Sequence, residues 1–129
     1  MSQQAGGAVV QTARTVHHHG IAVVVVSGEI DRMTDDPALN QAVEAVRGAP
    51  TGLVLDLGGV SFFGSAGINM VVAVRREAQR AKVPFRVVAA SKTVLRPLEL
   101  SGVNVLLTVH PNLAEALSGL GTLPRQRRV

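Results

Sequence analysis

The stretch Leu53-Val-Leu-Asp-Leu-Gly-Gly-Val-Ser-Phe-Phe-Gly-Ser-Ala-Gly-Ile68 decides the fold. Leu53 to Leu57 is a short apolar run that reads as a strand, and Gly58 and Gly59 are expected to close it. From Gly64 to Lys82 the spacing changes, with Ile68, Val71, Val72, Val74, Ala78 and Ala81 on or near one helical face. Its last turns collect Arg75, Arg76, Arg80 and Lys82, cations that the negative end of a helix favours. A strand that passes through a glycine-rich turn into a long helix is half of a crossover, and crossovers build parallel sheets.

The flanks repeat this alternation. Met1 to Gly7 is small and polar and is expected to be disordered. Ala8 to Val16 and the β-branched run Ile21 to Val26 read as two strands joined by a turn at His17 to Gly20, the second buried on both faces. Thr34 to Arg47 is an amphipathic helix through Leu39, Val43 and Val46, with Thr34 or Asp35 as cap, Pro37 in its first turn, and Gly48 and Pro50 ending it. Pro84 stops the second helix, and Phe85 to Ala89 reads as a strand. Ser91 caps a third helix to about Leu100, which Pro97 is expected to divide or kink. Val105 to Val109 gives a fifth strand, and Pro111 to Leu120 a last helix with Asn112, Glu115 and Ser118 outward. The expected class is α/β: one domain over 8–120, with a mostly parallel five-stranded sheet, an N-terminal hairpin and about four helices. Residues 121–129 form a basic tail.

Composition narrows the function. The chain has 129 residues, 47% hydrophobic and 17% charged, which suits a single packed domain rather than a disordered chain. Three phenylalanines and no Trp or Tyr disfavour base stacking on aromatic platforms, so no nucleic-acid partner is expected. The absence of cysteine removes disulfides, zinc-thiolate sites and thiol catalysis. Of the 13 Lys and Arg residues, Arg125, Arg127 and Arg128 lie in the tail, leaving 10 against 9 acids, so the body is nearly neutral. No apolar run approaches the roughly 20 residues of a membrane span, and no secretory signal opens the chain, so a cytoplasmic protein without a membrane partner is expected.

Tests for chemistry at the glycine-rich turn fail one after another. A Walker loop needs Lys and then Ser or Thr after its last glycine, where Ile68 and Asn69 stand, and no dinucleotide fingerprint is present. A nucleophile elbow at Ser65 would need a small residue where Phe63 stands, and no spacing ties His17, His18, His19 or His110 to Ser65; the competing reading makes Ser65 a helix N-cap. Consecutive histidines alternate in direction on an extended segment, so His17 to His19 read as a solvated turn and not a metal site. Glu29, Asp31 and Asp56 read first as turn or strand-end acids. No catalytic residue, metal or cofactor is assigned.

Taken together, Ser27-Gly-Glu-Ile-Asp31 followed by Thr34, Leu53 to Leu57 with Val60 to Ile68, and Leu95 to Gly102 resemble the STAS domains of bacterial anti-sigma factor antagonists. The resemblance implies a protein that binds an anti-sigma factor, often a serine kinase of the GHKL ATPase type, and so releases a sigma factor for transcription. It implies phosphorylation by that kinase at the start of the helix after the third strand, which breaks the complex. The family's string there is Asp-Ser-Ser-Gly or Asp-Ser-Thr-Gly, with the second hydroxyl residue commonly the acceptor. Here Gly64-Ser65-Ala66-Gly67 replaces it, so Ala66 stands at the acceptor position and Ser65 is the phosphorylation candidate. The expected partner-binding residues are Glu29, Asp31, Gly64, Ser65, Ala66, Gly67, Ile68, Met70 and Val71. Alternatives are an unphosphorylated STAS scaffold or decoy, a transporter-associated STAS subunit, and a nucleotide-binding protein.

Overall fold

Strand β1 (Thr12–His18) and strand β2 (Ile21–Ile30) pair antiparallel through a two-residue turn at His19 and Gly20. Both turn residues have positive φ, 50° and 87°, the left-handed pair whose twist matches that of a hairpin. The computed structural model describes residues 11–30 and 36–121. The expected N-terminal disorder, the basic tail beyond Gly121, which itself ends the last helix, Asp31 and the proposed caps Thr34 and Asp35 lie outside the described residues.

Helix α1 (Pro37–Arg47) follows, then β3 (Gly52–Phe63), α2 (Ser65–Ala81), β4 (Phe85–Val88) and α3 (Lys92–Ser101). A 3-10 turn (Val103–Leu106), β5 (Val109–His110) and α4 (Leu113–Gly121) complete the order. The sheet runs β1-β2-β3-β4-β5, antiparallel at the hairpin and parallel thereafter. Alternation along the strands divides the core. Ala22, Val24, Val26, Leu53 and Leu55 pack with Val71, Val74 and Leu98 on the α1–α3 side, whereas Ile21, Val23, Val54 and Val88 pack with Ala116 and Leu120 of α4 on the other. β2 is therefore buried on both faces, as its β-branched run implies. Among the described residues no helix is long and apolar enough to cross a membrane.

Several boundaries differ from expectation for identifiable reasons. β1 runs to His18, because the turn needs only two residues. α1 begins at Pro37, with Asp36 as N-cap accepting from the Leu39 N–H at 3.2 Å. Buried Gln11, at the mouth of β1, accepts from the Ala38 N–H at 2.7 Å and so caps the same helix from a distant position. α3 runs through Pro97 as one helix. The expected fifth strand shrinks to Val109–His110: Gly102 (φ 81°) ends α3 in the left-handed region, and the chain tightens into the 3-10 turn, leaving Val105 and Leu106 exposed. α4 starts two residues late, at Leu113, because Asn112 Oδ1 accepts from the Glu115 N–H at 2.9 Å; Asn112, Glu115 and Ser118 are exposed as expected.

The largest correction concerns β3. It does not close at Leu57 but continues through Gly58 and Gly59 to Phe63. Beyond Asp56 its pairing with β4 ends, while pairing with β2 carries on as Ser27 with Gly59, Gly28 with Val60, Glu29 with Phe62 and Ile30 with Phe63. Glycines that break a lone strand are tolerated here because a partner strand satisfies the backbone. One of them also makes room: a Cβ at Gly59 would meet Ser27 Oγ at 2.6 Å.

Candidate functional site

The β2–β3 ribbon projects past the neighbouring strands and delivers the chain into α2. Its register jumps between Gly28 and Glu29, leaving Ser61 as the extra residue of a bulge. Val60 and Phe63 turn inward and are buried, whereas Ser61 and Phe62 face out, Phe62 with 47% exposure. The Gly64 N–H donates to the Ile30 carbonyl at 2.9 Å, which ties the end of β2 to the start of α2. In this way the Ser27 to Ile30 string and the Val60 to Ile68 string form one surface.

Gly64 is the N-cap of α2, in extended conformation (φ −92°, ψ −162°), and its carbonyl accepts from the Gly67 and Ile68 N–H groups at 2.9 and 3.3 Å. Having no side chain, it leaves the other helix-start amides without a side-chain cap. Ser65 is accordingly the first helical residue rather than the cap, and it is exposed. The first turn of α2 contains no acid, so the partial positive charge of this helix end is unopposed within it.

The expected binding residues sort into two groups. Glu29 and Ser65 are exposed, and Gly64, Ala66 and Ile68 are half-buried; these share the ribbon end and the first turn of α2. Gly67, Met70 and Val71 do not belong to a docking surface. Met70 and Val71 are 2% and 0% exposed and sit in the α1–α3 core, because residues 67, 70, 71, 74 and 78 form the inward line of α2. Gly67 is buried against the Phe63 ring. Two outward residues went unread: Phe62, concealed by the expectation that β3 stops at Leu57, and Asn69, exposed one turn beyond Ser65. An aromatic in a chain with only three, three residues before the helix, was the signal available for Phe62.

The remaining candidates stay apart. His17, His18 and His19 occupy the hairpin at the far end of β1, and His110 lies on β5. Among the described residues no three His, Asp or Glu side chains are grouped to hold a metal. Asp56 is used locally, accepting from the Gly58 N–H at 2.9 Å where β3 leaves β4.

The chain as a whole is similar to known proteins. The anti-sigma-F factor antagonist RsfB of Mycobacterium tuberculosis is 36% identical over 110 residues, which cover 84% of this chain and 88% of RsfB. A solved anti-sigma factor antagonist from Mycobacterium paratuberculosis is 38% identical with a TM-score of 0.75, covering 86% of this chain and 94% of that one. The anti-sigma factor antagonist SpoIIAA in its unphosphorylated form superposes with a TM-score of 0.71 at 18% identity, covering 88% of this chain and all of SpoIIAA, a likeness of fold. The STAS domain model matches residues 12–116, from the start of β1 into α4, and the chain belongs to the STAS domain family.

Proposed function

We propose that this protein is an anti-sigma factor antagonist that works by binding and catalyses nothing itself. The observation that carries the reading is an exposed hydroxyl, Ser65, at the first position of α2, beside exposed Phe62 and half-buried Ile68. An anti-sigma factor covers Glu29, Phe62, Ser65, Ala66, Ile68 and Asn69 in the cytoplasm, and so frees a sigma factor.

The same surface suits a phosphorylation switch. A kinase of the GHKL type, carrying its own ATP, transfers the γ-phosphoryl group to Ser65 Oγ and releases ADP. The phosphate brings about −1.5 to −2 charge to a helix start that favours anions, so the fold persists. Docking fails instead, because a partner closing over Phe62 and Ile68 must desolvate that charge, at a cost on the order of several kcal/mol unless a cation meets it. The test is calorimetry with the cognate anti-sigma factor, alongside mass spectrometry after incubation with that protein and ATP. A complex lost on phosphorylation of Ser65 supports the switch; undiminished binding by Ser65→Glu removes it.

Gly64 and Ala66 favour a second reading. They replace the acidic and second hydroxyl residues of the family string, as a scaffold or decoy that holds its partner without being phosphorylated would permit. Such a protein binds the anti-sigma factor, takes up no phosphate, and tolerates Ser65→Ala in cells.

A further inference from the structure

Helix α4 is the sole helix on its side of the sheet among the described residues, and it rests on the smaller apolar cluster. It buries Ala116 and Leu120 and half-buries Leu113 and Leu117, whereas α2 buries five residues. Beneath it stand two polar atoms that find no partner among the described residues. Arg86 Nε and His110 Nε2 are both shielded from solvent and make no hydrogen bond with any described residue; of the Arg86 guanidinium, Nη1 donates to the Phe85 carbonyl at 3.2 Å. Val88 pairs with His110 across β4 and β5, which puts Arg86 and His110 on the same face of the sheet. Both orphaned atoms converge on Gly119 in the last turns of α4: a Cβ there would lie 3.6 Å from His110 Nε2 and 3.9 Å from Arg86 Nε.

A buried polar atom without a partner opposes the closure that buries it, because opening returns it to water. Here the opposition is confined to the seat of one short helix, and the helix itself is soundly closed at its start by Asn112. We propose that α4 is a detachable cover. It lifts as a unit while the rest of the sheet and α1–α3 stay folded, hydrating Arg86 and His110 and baring the apolar strip Ile21, Val23, Val54 and Val88. The device is separate from the Ser65 surface, since α2 lies on the opposite face of the sheet, and it needs no partner protein.

Amide hydrogen exchange on the full chain tests this. In the wild type, the amides of Ala116 to Leu120 are expected to exchange at least a hundredfold faster than those of Val23 to Val26. In an Arg86→Met, His110→Leu double variant, which removes both orphaned atoms, that ratio is expected to fall at least tenfold. Exchange of α4 at the rate of β2 in the wild type overturns the proposal whether or not the double variant folds. An unchanged or larger ratio in a folded double variant overturns it as well.

Discussion

The ring of Phe63 lies directly on the backbone of Gly67: a Cβ built at position 67 would come within 2.6 Å of both Cδ1 and Cε1 of the ring. Phe63 is the last residue of β3 and Gly67 belongs to the first turn of α2, so this contact sets the angle at which the ribbon enters the helix. Ser65 sits between them, and the contact thereby fixes how its hydroxyl is presented.

Gly67→Ala therefore has two opposed effects. Alanine is favoured over glycine in a helix by about 1 kcal/mol. The clash with a buried ring costs about 1–3 kcal/mol, because Phe63 is itself packed in the core. The clash prevails, and a net loss of about 1 kcal/mol is expected in urea denaturation. Gly119→Ala supplies the contrast: its Cβ would meet His110 at 3.5 Å, an ordinary contact, so helix preference decides and a gain of about 0.5 kcal/mol is expected. A neutral or stabilising Gly67→Ala would mean that the strand–helix junction is looser than this packing.

Phe62 and Met70 are expected to separate binding from stability. Met70→Ala empties a core position and should cost about 2–5 kcal/mol of stability. Phe62→Ala removes a half-exposed ring, so it should change stability by about 1 kcal/mol or less and weaken the anti-sigma complex by about tenfold or more, the behaviour of an aromatic anchor. Thermal melts of both variants with calorimetry of Phe62→Ala check this; full affinity without Phe62 would exclude it from the interface.

This contrast also marks what was legible in the sequence. The order of strands and helices followed from Leu53–Leu57, Ile21–Val26 and the two long helical periods, since each signal is local. The end of β3 was not, because Gly58 and Gly59 look like a terminus until Ser27 to Ile30 is known to lie alongside them. Phe62 and the surface it makes with Glu29 depend on that pairing. Met70 and Val71 erred differently: they were expected on one surface with Ser65, but the helical period turns them about 140° and about 120° away from it, into the core.

The two caps of α1 rank in an order that residue type alone would reverse. Asp is a favoured N-cap, and Asp36→Ala should cost about 1 kcal/mol. Gln11 is no usual cap, yet its bond to the Ala38 N–H is buried, and Gln11→Ala leaves that donor unpaired, at about 1–3 kcal/mol. Chemical denaturation of the two variants should therefore place Gln11→Ala below Asp36→Ala; the reverse order would show that water reaches the Ala38 amide.

Ser65→Glu places a carboxylate at the first position of a helix whose first turn has no acid and whose cap is a bare glycine. A negative charge there is favoured by about 0.3–1 kcal/mol at low salt, so the variant should melt at or slightly above the wild-type temperature, and the gain should shrink as salt screens it. The same charge lies between Phe62 and Ile68, where a docking partner must strip its water, so affinity for the anti-sigma factor should fall by at least tenfold. Stability kept with affinity lost is the signature of a switch that acts on docking and not on folding. A fall in melting temperature parallel to the loss of affinity would instead trace the lost binding to damage at the start of α2, and the hydroxyl would then be a structural fixture of the helix.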